Sequence, residues 1–129
     1  MEKIIKIEET TFKIDDYQEF DGFQIVTDKQ IIKLGISNSQ NCCENWGYFM
    51  TNDDLQEFKG STLQDISITD TALNSKKIEN EELHEPDLMF VNLTTDNGVL
   101  QFTAYNEHNG YYGHDAVVIS KQLNHEDTL

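Results

Sequence analysis

The stretch "DLMFVNLTTDNGVLQFTAY", Asp87 to Tyr105, decides how the rest of the chain is read. Apolar and polar residues alternate on both sides of Asp96, Asn97 and Gly98, with the period of two that a half-buried strand requires. Asn-Gly favours the positive φ angles of a tight hairpin turn. The stretch therefore predicts two antiparallel strands joined by a short turn.

Outward from it, "GFQIVTDKQIIKLGIS" holds two β-branched apolar runs, Phe23 to Val26 and Gln30 to Ile36, separated by Thr27, Asp28 and Lys29. This is a second hairpin. "LQDISIT", from Leu63, alternates well enough for a strand, and "AVVIS", Ala116 to Ser120, is the last one expected. One short helix is predicted at "TNDDLQEFKG": Thr51 or Asn52 can cap it, Asp53 and Asp54 suit its positive end, Leu55 and Phe58 share a face, and Gly60 stops it. The opening "KIIKIEETTFKI" leaves strand and helical turn both open. "KKIENEELHEPD", Lys76 to Asp87, reads as a solvated loop, and Asn124 to Leu129 as a loose C-terminal tail. The sum is one domain over residues 1–129, of the α+β class: a mostly antiparallel β-sheet of hairpins with one or two short helices.

Charge narrows the function. The chain has nine basic and 24 acidic residues, a formal charge of -15, and every basic residue is lysine. Arginine is the usual residue for bidentate phosphate contacts and for stacking on bases, so direct nucleic-acid binding is not expected. Such a field repels DNA and RNA, though it can imitate them toward a basic partner. No apolar stretch approaches the roughly 20 residues of a membrane span, and the first residues lack the apolar run of a secretory signal. The expectation is a cytoplasmic protein of the host cell, without a membrane partner.

Two polar, aromatic-rich segments carry the candidate site. One is "SNSQNCCENWGYF", with Gln40, Cys42, Cys43, Glu44 and Trp46; the other is "YNEHNGYYGHD", with Asn106, His108, Asn109, Gly110, Tyr111, Tyr112 and His114. Both follow predicted strands, where loops on a rigid sheet usually host binding sites. Two cysteines and two histidines raise the question of zinc, but adjacent cysteines seldom converge on one tetrahedron. A thiolate activated by His108 or His114 would be disfavoured among so many carboxylates. No metal, no cofactor and no catalytic residue is assigned, and the protein is read as not an enzyme. Trp46, Tyr48 and Phe49 suit core or edge positions as well as a ligand platform. Tyr111 and Tyr112, being consecutive, face opposite sides of any extended backbone.

"SQNCCENWGYF", a short acidic helix ending "FKG", a strand, and "GVLQFTAYNEHNGYYGHDAVVI" together resemble a family of small phage and prophage proteins classed as a domain of unknown function. The Gln-x-Cys-Cys-Glu block and the Asn-Gly-Tyr-Tyr block are also similar to the phage anti-Thoeris sponge proteins, over roughly Ile31 to Ile119. That resemblance implies a β-rich, non-enzymatic homo-oligomer that traps cyclic ADP-ribose isomers or cyclic oligonucleotides made as an immune alarm. The matching positions are Gln40, Cys42, Cys43, Glu44, Asn109, Gly110, Tyr111 and Tyr112. With no arginine, phosphate would fall to Lys33, Lys59, Lys76, Lys77 or Lys121 and to backbone N-H groups at the glycine turns. The expected partner is thus a cyclic nucleotide signal. The alternative is a basic host-defence protein, with this chain as a nucleic-acid-mimicking inhibitor of a CRISPR effector nuclease or another defence enzyme.

Overall fold

A computed structural model describes residues 2–39, 45–52, 54–73, 86–107 and 113–129. Nine strands form one antiparallel sheet: β1 (Glu2–Lys13), β2 (Glu19–Thr27), β3 (Ile31–Ser37), β4 (Asn45–Met50), β5 (Thr62–Thr69), β6 (Asp87–Thr95), β7 (Gly98–Glu107), β8 (Asp115–Ile119) and β9 (Asn124–Thr128). Their order is β4-β7-β6-β5-β1-β2-β3-β8-β9.

The sheet folds over on itself at β1. The first residues of β1 pair with β5, Glu2 opposite Leu63 and Lys3 opposite Thr62, while Ile4 to Lys13 pair with β2. Bulges interrupt both strands there, between Ile4 and Lys6 and between Leu63 and Asp65. An extra residue bends a strand and increases its twist, so these bulges turn the two halves face to face. They also keep Ile4 and Ile7, three positions apart, both buried in the core. That broken alternation is why β1 could not be told from a helical turn in the sequence.

Between the halves lies one apolar core, built from Ile25, Ile32 and Leu34 on one side and Val91, Leu93, Leu100 and Phe102 on the other. Phe23 of β2 meets Tyr48 of β4 and Phe102 of β7 edge to face across it, at 5.7 and 6.1 Å between ring centroids. Fully burying one such side chain contributes roughly 1.5–3 kcal/mol, and this contact holds the two halves together.

The α+β expectation is corrected: the fold is mainly β. Among the described residues the helical content is a 3-10 turn at Leu55–Phe58, within the segment expected to be a helix. Its cap is Asp54, whose side chain accepts from Gln56 N-H, rather than Thr51 or Asn52. Gly60 does end it, at φ +89°. The segment is tethered to β1, Gly60 N-H donating to Ile4 O at 2.7 Å, and the helix stops at this single turn. The expected loose tail is also corrected. Residues 124–128 form β9 against β8, and Leu129 is buried. The polar sequence "NHEDT" concealed an edge strand whose stability comes from the ladder rather than from apolar burial.

The hairpins stand where they were expected. Gly98 follows the Asp96-Asn97 turn at φ +111°, with Thr95 Oγ1 donating to Gly98 O at 2.7 Å. Of the expected solvated loop, residues 76–85 lie outside the described residues, and Asp87 begins β6.

Candidate functional site

Strand direction sorts the connections onto two rims. The tight turns at 28–30, 96–97 and 120–123 and the 51–61 connection leave from one end of the folded sheet. The connections spanning 14–18, 38–44, 70–86 and 108–114 all leave from the other. The second rim carries the long, polar, aromatic-rich segments. This is the division expected of a scaffold with binding loops on one end.

The first rim is locked by Glu2. Its carboxylate accepts from Thr27 Oγ1 at 2.5 Å, Gln30 Nε2 at 2.7 Å and Gln122 Nε2 at 3.1 Å. Burial pushes the Glu2 carboxyl up, but these three hydrogen bonds outweigh it and hold the group below its ordinary value. Gln30 Nε2 also donates to Gln122 Oε1 at 2.7 Å, so the β2–β3 and β8–β9 turns are tied together.

On the second rim, two anchors join the described residues that flank the candidate segments. Asn45, which opens β4, is the direct cross-strand partner of Glu107, which closes β7. Trp46 then stacks on His114, with ring centroids 5.1 Å apart and planes 28° from parallel. The residue after segment 40–44 and the residue before segment 108–112 are thus cross-strand partners.

His114 is 1% exposed and firmly committed. Its Nδ1 lies 2.7 Å from Ser37 O, so that nitrogen carries the proton and donates. Its backbone N-H donates to Leu129 O at 3.0 Å and its carbonyl accepts from Leu129 N-H at 2.9 Å. Asn106, on the inner face of β7, donates from Nδ2 to the same Leu129 carbonyl at 3.1 Å. Ser37, Trp46, Asn106, His114 and Leu129 thus form one knot joining the ends of β3, β4, β7, β8 and β9.

Of the residues proposed from sequence, Trp46, Asn106 and His114 are brought together here. Gln40, Cys42, Cys43, Glu44, His108, Asn109, Gly110, Tyr111 and Tyr112 lie outside the described residues. Ser37 and Leu129 were missed, because one contributes only a backbone carbonyl and the other stood in the supposed tail. The proposed phosphate lysines that are described stand on three different elements. Lys33 lies on β3 with Nζ 5.7 Å from the Phe12 ring centre, Lys59 follows the 3-10 turn, and Lys121 is in the β8–β9 turn.

Carboxylates crowd the same rim and are held by neutral donors. Asp21 accepts from Thr11 Oγ1 at 2.8 Å and Asn38 Nδ2 at 2.9 Å, Glu19 from Asn38 Nδ2 at 2.8 Å, and Asp115 from Gln18 Nε2 at 3.0 Å and Thr128 Oγ1 at 2.8 Å. Glu9 accepts from the Tyr48 hydroxyl; burial, that hydrogen bond and the charges of Glu9 and Asp21 all push the phenol well above its ordinary value. Between described residues a single ion pair forms, Lys6 with Glu8 at 3.0 Å, away from this cluster. A hollow of about 580 Å³ lies next along the rim, floored by Ile68, Leu88, Met89 and Phe90 and edged by Asp70 and Asp127. None of the candidate residues lines it.

A family model described as a domain of unknown function, DUF7448, matches residues 1–118. The chain belongs to the DUF7448 family. No curated protein and no solved structure matches it. The family match reaches from β1 almost to the end of β8, so it takes in both candidate segments and all the strands that anchor them except β9. Among the described residues no helix is long and apolar enough to cross a membrane.

Proposed function

We propose that this DUF7448 protein is a phage-type anti-defence protein that acts by stoichiometric binding, sequestering a nucleotide immune signal such as a cyclic ADP-ribose isomer or a cyclic oligonucleotide. The observation that supports this reading is the cross-strand pairing of Asn45 with Glu107, beside the Trp46 and His114 stack, because these described residues adjoin the two motif-bearing segments in the sequence. On this reading the Gln-x-Cys-Cys-Glu and Asn-Gly-Tyr-Tyr motifs supply tyrosines for stacking on bases and amide and backbone groups for hydrogen bonding. His114, engaged by Ser37 O and by Trp46, holds the described end of that region in place. Calorimetry with cyclic ADP-ribose isomers and cyclic dinucleotides tests the proposal: saturable binding is expected from at least one of them, and no heat from any at high micromolar concentration refutes it.

A second reading is favoured by a different observation. The rim carboxylates Glu9, Glu19, Asp21 and Asp115 are fixed by hydroxyl and amide donors, which order them without neutralising them. A fixed array of uncompensated negative charge suits the nucleic-acid groove of a basic defence nuclease, which would be inhibited by occupation. Co-purification with such an enzyme, lost as ionic strength rises, is the expected result; capture indifferent to salt would exclude it.

A further inference from the structure

β9 ends the sheet order and lies exposed along its whole length. β4, the strand at the other end of that order, is half-buried over most of its own. The bonding of β9 to β8 is fixed at both ends: His114 and Leu129 exchange both backbone bonds, at 3.0 and 2.9 Å, and Ser120 N-H donates to Leu123 O at 3.0 Å. In an antiparallel ladder, pairs that exchange bonds alternate with pairs that exchange none. By register the bonded pairs between those ends are Ala116 with Asp127 and Val118 with His125. Asn124, Glu126 and Thr128 therefore turn their N-H and C=O groups away from β8, and among the described residues no strand takes them up.

A hollow opens on each side of this edge. Asp127, opposite the core residue Ala116, edges the 580 Å³ hollow with the apolar floor from β5 and β6. Glu126, opposite Val117, edges a second hollow of about 310 Å³ on the other face, beside Ile14 and Ile119. Ile68 in the first and Ile14 in the second are 38% and 47% exposed. Successive side chains of a strand laid along this edge point to opposite faces, so they would enter the two hollows in turn. Each hollow offers an apolar wall and a carboxylate.

Charge selects the occupant. The chain carries -15, and Glu126 and Asp127 stand next to each other on β9. A second copy laid along the same edge would set like charges side by side, the usual way in which an edge strand is kept from pairing with itself. An extended segment with lysine or arginine among apolar residues meets opposite charge instead. We propose that the free edge of β9 is a docking site for a basic, extended segment of another protein, which joins the sheet as a further strand. The open N-H and C=O groups supply the ladder, and the two hollows select apolar side chains interspersed with cations. The proposal is independent of both functions proposed above, neither of which uses the backbone of β9.

Fluorescence anisotropy of the full chain with a labelled synthetic peptide, pairs of valines alternating with pairs of lysines, tests it, because each face of such a strand carries both residue types. Saturable binding is expected, with hydrogen exchange slowed at the Asn124, Glu126 and Thr128 amides. The same peptide with its backbone nitrogens methylated should bind roughly tenfold more weakly or worse. Glu126→Pro removes an outward N-H without touching the ladder to β8, and should weaken binding as much. Glu126→Gln, which removes only the charge, should weaken it by no more than about fivefold. The methylated peptide keeps the test valid should Glu126→Pro be unstable. No binding at high micromolar concentration, binding without protection of those three amides, or equal binding of the methylated peptide overturns the proposal, as does a free chain that pairs with itself along β9.

Discussion

The indole of Trp46 lies against the imidazole of His114, 5.1 Å between centroids, and so joins the start of β4 to the start of β8 across the end of the folded sheet. These strands are distant in the sheet order and share no ladder. The contact therefore joins the two halves at the rim from which the candidate segments leave.

Replacing Trp46 with alanine removes that bridge and part of the core's cover. A loss of about 2 kcal/mol is expected, less than for a fully buried aromatic because Trp46 is only partly buried. Urea denaturation followed by far-ultraviolet circular dichroism measures it; an unchanged midpoint would show that the stack contributes nothing. Trp46 is also the chain's single tryptophan. Its emission in the unmodified protein should shift when a nucleotide binds at the neighbouring segments.

Gln101 is buried on the opposite face of β7 with its amide fully used. Nε2 donates to Thr71 O and Asn92 Oδ1, both at 2.9 Å, and Oε1 accepts from Leu73 N-H at 2.9 Å. Gln101→Leu fills similar volume but strands those three partners, so it should cost about 1–3 kcal/mol. Hydrogen exchange should show faster exchange at the Leu73 amide in particular. Retained protection there would contradict the assigned role.

Glu2 makes the first rim pH-dependent in a defined direction. Its folded carboxyl is held below the ordinary value of 4.5, so its contribution is present above that pH and is lost as pH falls through the lowered value. Glu2→Gln should be about 1 kcal/mol less stable at neutral pH. The gap between the two proteins should close under acid; a gap that stays constant down to strongly acidic pH would refute the carboxylate's part in it.

Tyr48 behaves oppositely at high pH. Its phenol is raised above the ordinary 10.0, so stability is intact below that pH and falls as pH rises beyond it, because the unfolded chain releases the proton more readily. Tyr48→Phe should unfold less steeply above pH 10 than the parent. Equal alkaline slopes would count against the Glu9 hydrogen bond.

Gly22 and Gly35 face each other on β2 and β3. A Cβ on Gly22 would stand 1.9 Å from Leu34 O, a backbone atom that cannot step aside. Gly22→Ala should therefore cost about 2–3 kcal/mol. Thermal unfolding would expose an unaltered protein at once.

What the sequence determined by itself was local. Period-two alternation and an Asn-Gly turn were enough for the 87–105 hairpin, and two apolar runs marked the 23–36 hairpin. The same local rules failed where stability comes from a distant strand. β1 broke its alternation at a bulge, β9 had no apolar pattern to show, and the 51–60 segment had helix signals but stops at a single turn tethered to Ile4. At the candidate site, Trp46, Asn106 and His114 could be chosen by residue type. Their meeting, with Ser37 and Leu129 as the groups that hold them, arose only in three dimensions. Strand pairing is set by ladders between distant residues, as in Lys33 with Ile119, and the side-chain bond from Gln122 to Glu2 spans 120 positions, so no short window of sequence contains both partners.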